Sequence, residues 1–277
     1  PEPRRSPFAF MQNNSKQLLD DSSSPHTPAP DNPEFRPCVV VPIYNHKDTI
    51  FQVVEALVEL ALPCFIVDDG SDTSTKQVLS KIAKIKQQVE VITRTENGGK
   101  GAAVITGLLL AYEKGYTHAL QVDADGQHRI TDAKVLLEHS SSRLEALILG
   151  RPIFDESAPK SRVYGRRVTH FLVWLETLSL EIKDTLCGFR VYPLRPFKAI
   201  ADKTRLREHM DFDPEIVVRM HWAGVPVVNL DTPVKYDPQG LSHFDIKRDN
   251  LRMVSLHTQL LLEMVVRLPN ILFRRLG

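Results

Sequence analysis

The sequence predicts an α/β fold, a mostly parallel sheet with helices on both faces. Two observations carry that expectation. From Cys38 onward, short apolar runs alternate with segments of helical period, and strands alternating with helices imply βαβ units and a parallel sheet. The residues just after each apolar run are polar, acidic or glycine, and open sheets of this kind bind ligands outside the carboxyl ends of their strands. With 277 residues, 42% hydrophobic and 25% charged, the chain is long enough to bury a real core as one large domain or two small ones.

Residues 1–36 are rich in Pro, Ser, Asn and Asp, as in DDSSSPHTPAPDNP. They are expected to form a disordered tail, because such a segment buries too little apolar surface to offset its ordering entropy. The body, 37–240, opens with a strand at CVVVPI and a helix over 47–61. CFIVDD and a helix over 73–87 follow, then VEVIT with 100–113, HALQV with 131–139, and ALILG. After Arg151 the pattern changes. PIFDESAPKSR has two prolines and no periodicity, and is expected to be a mobile loop that closes over a substrate. A helix from about Val163 to Glu181 comes next, with Phe171, Leu175, Leu178 and Ile182 on one face. DTLCGFRVYP reads as a turn entering a strand. Asp213-Pro214-Glu215 opens a helix with Asp213 at the N-cap and Pro214 at the first helical position. Strands near 225–236 close the body. The last segment, 241–277, is a basic amphipathic composition interrupted at Pro269, which suits helices packed on the domain or lying on a membrane with anionic lipids.

A formal net charge of +1 and the lack of a long Lys/Arg block exclude wholesale nucleic-acid binding. The three cysteines, Cys38, Cys64 and Cys187, are widely spaced and mostly inside apolar runs. That pattern suits buried thiols in a reducing compartment and gives no zinc spacing. No apolar run approaches the roughly 20 residues that cross a bilayer, so a cytoplasmic protein without a membrane span is expected.

HALQVDADGQH, residues 118 to 128, carries the chemistry. Side chains alternate along an extended chain, so Asp123, Asp125 and Gln127 can project to one side just past a strand end. Such a set of oxygens suits Mg or Mn, hard divalent cations that keep positions open for phosphate oxygens. Taken alone, Asp-Ala-Asp-Gly also reads as a solvated turn. Asp68 and Asp69 stand at a neighbouring strand end, placed to accept hydrogen bonds from a base or ribose. The loop ENGGKGAA opens a helix but matches neither dinucleotide nor P-loop templates, since Val104 stands where a third glycine is needed. A calcium loop starting at Asp123 fails at its twelfth position, Lys134.

In order and spacing, VVVPIYNHKDTI, IVDDGSD, NGGKGAAVITGL, HALQVDADGQH, ILGRP and DTLCGFRVYP resemble the family 2 glycosyltransferases of GT-A fold, a Rossmann-like nucleotide-diphospho-sugar transferase type. The resemblance covers residues 37–236 and is nearest to dolichol-phosphate mannose synthases and related polyprenol-phosphate glycosyltransferases. It implies an inverting, metal-dependent enzyme that moves a sugar from a GDP- or UDP-sugar to a lipid-linked acceptor at the cytoplasmic membrane face, with peripheral membrane association. Pro42, Tyr44, Asn45, Asp68, Asp69, Lys100 and Asp123 would bind the nucleotide, and Asp123, Asp125 and Gln127 the metal. Arg151, Arg162 or Arg166, and Arg190 would meet donor and acceptor phosphates, with 152–166 as the acceptor loop. Asp125 and Arg190 are implied to be catalytic. Asp213 or Asp211 would serve as base if the acceptor is a hydroxyl, whereas an acceptor phosphate needs none.

Departures from that branch are His46 in place of a glutamate, Cys187 in place of a serine, and GLSHFDIKRDN after the last strand. They point to a different base, sugar or acceptor. A sugar nucleotidyltransferase is the rival enzyme class, but Ile-Tyr-Asn-His occupies the place of its Gly-rich, Arg-containing loop. An inactive nucleotide-binding scaffold is the rival from outside enzymology. Clustered acids without a cation are costly, which argues against it.

Overall fold

The computed structural model describes residues 35–154, 160–234 and 245–276. The tail expected at the N-terminus falls almost wholly outside them, as do 155–159 and 235–244. In chain order the elements are β1 (Pro37–Ile43), α1 (Ile50–Val58), β2 (Cys64–Asp68), α2 (Thr73–Ile85), β3 (Val89–Thr93), α3 (Lys100–Glu113), β4 (His118–Gln121), α4 (Ala133–Ser142), β5 (Leu147–Phe154), α5 (Lys160–Thr177), β6 (Arg190–Pro193), α6 (Leu194–Ala201), α7 (Phe212–Trp222), β7 (Val227–Val234) and α8 (Ile246–Leu276).

One seven-stranded sheet has the order β3-β2-β1-β4-β6-β5-β7. β1, β2, β3 and β4 are mutually parallel, as are β5 and β7. β6 is inserted antiparallel between β4 and β5. Alternation along β1 sends Cys38 and Val40 into the core beneath α3 and α7, and Val39 and Val41 into the core beneath α1 and α2. That two-sided burial is why the strands are continuous apolar runs.

Several expectations need correction. The segment 152–162 is not one loop, because β5 continues through Phe154 beside β7 and α5 begins at Lys160. The face expected of α5 divides: Ile182 is buried, but Phe171 is 57% and Leu175 41% exposed. The inward side of α5 carries Thr169, Val173, Glu176 and Thr177 instead. Glu176 is buried because His257 of α8 pairs with it at 2.7 Å. Asp213 is not the N-cap of α7; Asp211 holds that place, without a side-chain cap bond, and Pro214 lies two residues further into the helix. The α8 helix runs through Pro269 rather than stopping there. All three cysteines are buried and free, and burial pushes the thiols of Cys64 and Cys187 up to about 12.

Candidate functional site

The sheet order places the carboxyl ends of β2, β1 and β4 side by side on one edge. Because β6 runs antiparallel, with Arg190 paired to Gln121, its entry rather than its exit lies on that same edge. The turn before β6, Asp184 to Gly188, therefore meets the DADG turn after β4. A side chain at 188 would overlap the Asp123 carboxylate, so only glycine admits this approach. Thr49, just ahead of α1, donates to the Ala124 carbonyl at 2.6 Å and fastens the DADG turn from the other side.

At the centre, Lys100 Nζ donates to Asp123 Oδ2 at 2.9 Å and pairs with Asp213 Oδ2 at 3.0 Å. The three side chains are 18%, 20% and 5% exposed. Burial alone would lower the Lys100 ammonium, but the two carboxylates outweigh it and hold the group above its ordinary value. Burial alone would likewise raise Asp123, yet Lys100 and His128 beside it hold the carboxyl well below the usual range. His128 Nε2 lies 3.8 Å from Asp123, and its ring stacks on Phe189 with centroids 5.1 Å apart. The sequence signal for a role of His128 is its position immediately after the acidic turn.

Arg190 is fully buried. Its guanidinium donates to the carbonyls of Cys187, Thr185 and Asp213 and stands 3.4 Å from the Asp213 carboxylate. Arg190, expected to meet phosphate, here braces Asp213 and the turn before β6 from beneath. Asp211 is buried and turned toward Arg207, 3.9 Å away, so Asp213 rather than Asp211 joins Lys100.

The expected nucleoside residues take up two kinds of place. Asp69 accepts from Arg94 and from the backbone N–H groups of Gly98 and Gly99, at 2.5, 3.0 and 2.7 Å. Asp68 accepts from Ser71 N–H through one oxygen, while the other is buried without a hydrogen-bond partner among the described residues. Asn45, in the left-handed region at φ 56°, accepts from Asp72 N–H and donates its own N–H to Ser71 Oγ. These side chains tie the three loops after β1, β2 and β3 into one rim, with Pro42 buried and Tyr44 half-buried beside it. The NGGKG glycines serve close packing: Gly99 has φ +99°, and a Cβ at Gly101 would stand 2.5 Å from Phe212.

The remaining arginines are spread out. Arg151 pairs with Asp231 across β5 and β7 at 2.5 and 2.6 Å. Arg166 pairs with the buried Asp184 and lies over the Phe154 ring at 5.2 Å. The Arg162 side chain lies outside the described residues.

The donor set fits a hard divalent cation such as Mg or Mn. Asp123 and Asp125 follow the end of β4 two residues apart with Gln127 beyond, and Asp125 is half-buried, accepting from Gln127 N–H at 3.0 Å. Among the described residues, no group of three or more His, Cys, Asp or Glu gathers that could hold a metal. Asp123, Asp125 and Gln127 are oxygen donors of the kind such a cation takes.

The model of the family described as Glycosyl transferase family 2 matches residues 38–206. A dolichyl-phosphate beta-glucosyltransferase of Trichomonas vaginalis is 28% identical over 239 residues, 75% of this chain and 70% of that protein. The dolichyl-phosphate beta-glucosyltransferase of Homo sapiens is 27% identical over 226 residues, 72% of this chain and 67% of that protein. Among solved structures, glucosyl-3-phosphoglycerate synthase from Mycobacterium tuberculosis aligns with a TM-score of 0.59 at 14% identity, over 83% of this chain and 79% of that one. A mannosyltransferase from Pyrobaculum calidifontis, in complex with GDP-Man and Mn²⁺, aligns with a TM-score of 0.52 at 14% identity, over 77% and 62%. At such distances the likeness speaks for the fold, which is the GT-A sheet. The family match runs over the strand ends that carry Asp69, Lys100, Asp123 and Arg190, and the chain belongs to glycosyl transferase family 2.

Proposed function

We propose that the protein is an inverting, metal-dependent glycosyltransferase that moves a sugar from a GDP- or UDP-sugar to a lipid-linked, polyprenol-phosphate-like acceptor, working as a peripheral protein at the cytoplasmic face of a membrane. The observation that carries this reading is the convergence of Asp123, Lys100 and Asp213 on the carboxyl edge of the sheet. Asp123 and Asp125, with the Gln127 amide, would hold a Mg or Mn ion that neutralises charge developing on the nucleoside diphosphate as it leaves. The rim of loops bound by Asp68, Asp69 and Asn45 would seat the nucleoside. Arg151 and Arg166 flank residues 155–159 in the sequence and would meet donor and acceptor phosphates, where a planar guanidinium suits bidentate contacts.

A lipid-phosphate acceptor is supported by the setting of Asp213, an ion-paired carboxylate with Lys100 at 3.0 Å and Arg190 at 3.4 Å. A phosphate acceptor is already an anion and needs no base. The dolichyl-phosphate relatives support the same reading. No helix among the described residues is long and apolar enough to cross a membrane, whereas α8 exposes Leu251, Val254, Leu262, Val265 and Val266, a face suited to a membrane surface.

The test is transfer from UDP- and GDP-sugars to a polyprenyl phosphate, with Mn²⁺ or with EDTA. Sugar-phospholipid formed only with metal, and lost in a folded Asp125→Ala variant, is the expected outcome. Undiminished transfer by Asp125→Ala would remove the metal assignment, and transfer to hydroxyl acceptors alone would move Asp213 to the role of base.

A further inference from the structure

Lys100 is the first residue of α3, a helix with no acidic residue in its first turn. A buried ammonium there meets the positive end of the helix dipole as well as a desolvation penalty. Asp123 and Asp213 offset both, at 2.9 and 3.0 Å. Asp213 also faces Arg190 at 3.4 Å, so these four side chains carry two positive and two negative charges. Lys100 thereby occupies Asp123 Oδ2, an oxygen a divalent cation would use.

We propose that Lys100 is a built-in counter-ion of Asp123 that makes binding of the divalent cation conditional on the nucleoside diphosphate. The proposal rests on the metal-dependent transferase reading above. A free cation arriving at Asp123 and Asp125 meets an ammonium already on one of the oxygens, and the two positive charges repel in a partly buried site. A diphosphate brings negative charge enough for both. Lys100 then turns from Asp123 to the phosphate oxygens, and Asp123 is released to the cation. In this scheme Lys100 is a positioning residue for the metal site that becomes a phosphate ligand once the donor is bound. It also links the donor side at Asp123 to Asp213.

The experiment is titration of the whole protein with Mn²⁺, reading free Mn²⁺ by electron paramagnetic resonance, alone and with saturating UDP, GDP, CDP or dTDP. Wild type is expected to bind Mn²⁺ weakly alone and much more tightly with one nucleotide. Lys100→Met removes the charge, and Lys100→Gln removes it while keeping a hydrogen-bond donor, in case the first variant does not fold. Either folded variant is expected to bind Mn²⁺ alone at least about tenfold more tightly than wild type, with the nucleotide enhancement reduced by a similar factor. A purely structural role for Lys100 predicts unchanged or weaker binding instead. If wild type shows nucleotide-dependent Mn²⁺ binding but both variants bind free Mn²⁺ no more tightly, the counter-ion role is overturned and the transferase reading stands. If no nucleotide promotes Mn²⁺ binding to wild type, the metal-dependent reading is overturned and this inference with it.

Discussion

Gly188 is held against the Asp123 carboxylate, and a methyl group there would overlap it. Asp123 already has Lys100 on Oδ2 and the Gln121 amide 3.5 Å from Oδ1, so it has little room to give. Gly188→Ala is therefore expected to turn the carboxylate away from its position and to lower kcat/KM by about 100-fold, the scale that small misplacements of reacting groups produce. The check is steady-state transfer alongside thermal unfolding. Near-wild-type kcat/KM in a folded variant would mean that the Asp123 position seen here does not matter to the reaction. At this scale the acidic turn, DDGS and NGGKG were all legible as polar punctuation after apolar runs. What each residue touches was not. Asp69 binds the Gly98 and Gly99 amides, a contact between β-ends that are distant in sequence.

Among the elements, α5 and the turn before β6 are joined through one carboxylate. Asp184 Oδ1 accepts from the N–H groups of Leu186 and Cys187 at 2.9 and 2.8 Å, and Oδ2 faces Arg166 and His170 of α5. Burial alone would raise this carboxyl, but His170 and Arg166 outweigh it and hold it below its ordinary value. A carboxyl depressed in the folded state contributes stability above the unfolded pKa and loses it as pH falls through the folded one. Asp184→Asn should thus cost roughly 3 kcal/mol near neutral pH, the scale for breaking a buried pair. The gap from wild type should close as pH drops below about 4. Urea unfolding of both proteins across that range measures it; a gap independent of pH would show that the charge of Asp184 is not what joins the elements. Element type and order were legible because period and length separate these strands from these helices. The antiparallel sense of β6 was not, since an apolar run reads the same in either direction. That orientation decides that the residues before β6, rather than those after it, reach the site.

For the whole molecule, the exposed apolar side chains fall in stripes. Tyr164, Val168, Phe171 and Leu175 follow one another along α5, and Leu251, Val254, Leu262 and Val265 along α8, spacings that keep each set on one side of its helix. Lys247, Arg248 and Arg267 are exposed on α8 as well. The protein is expected to co-sediment with liposomes containing anionic lipid at low salt and to detach as salt rises. Lys247→Gln and Arg248→Gln should each weaken partitioning by about fivefold, the worth of one basic residue near such a surface. No co-sedimentation at low salt would remove the membrane assignment. Periodicity predicts an apolar α5 face at Phe171, Leu175, Leu178 and Ile182, but apolarity alone does not say which side meets the core. The inward side carries Val173 and a polar pair, Glu176 with His257 of α8, residues 81 positions apart.

By itself, the sequence determined the α/β class, the succession of strands and helices, and the polar and acidic turns that follow the strands. These are local matters of side-chain period, turn chemistry and charge, written within a few neighbouring residues. Tertiary structure alone decided that Lys100 bridges Asp123 and Asp213, that Arg190 lies beneath rather than at the surface, and that Gly188 must be glycine. Each of those depends on distances between strand ends far apart in the chain, and such distances exist only once the sheet has chosen its order and the direction of β6.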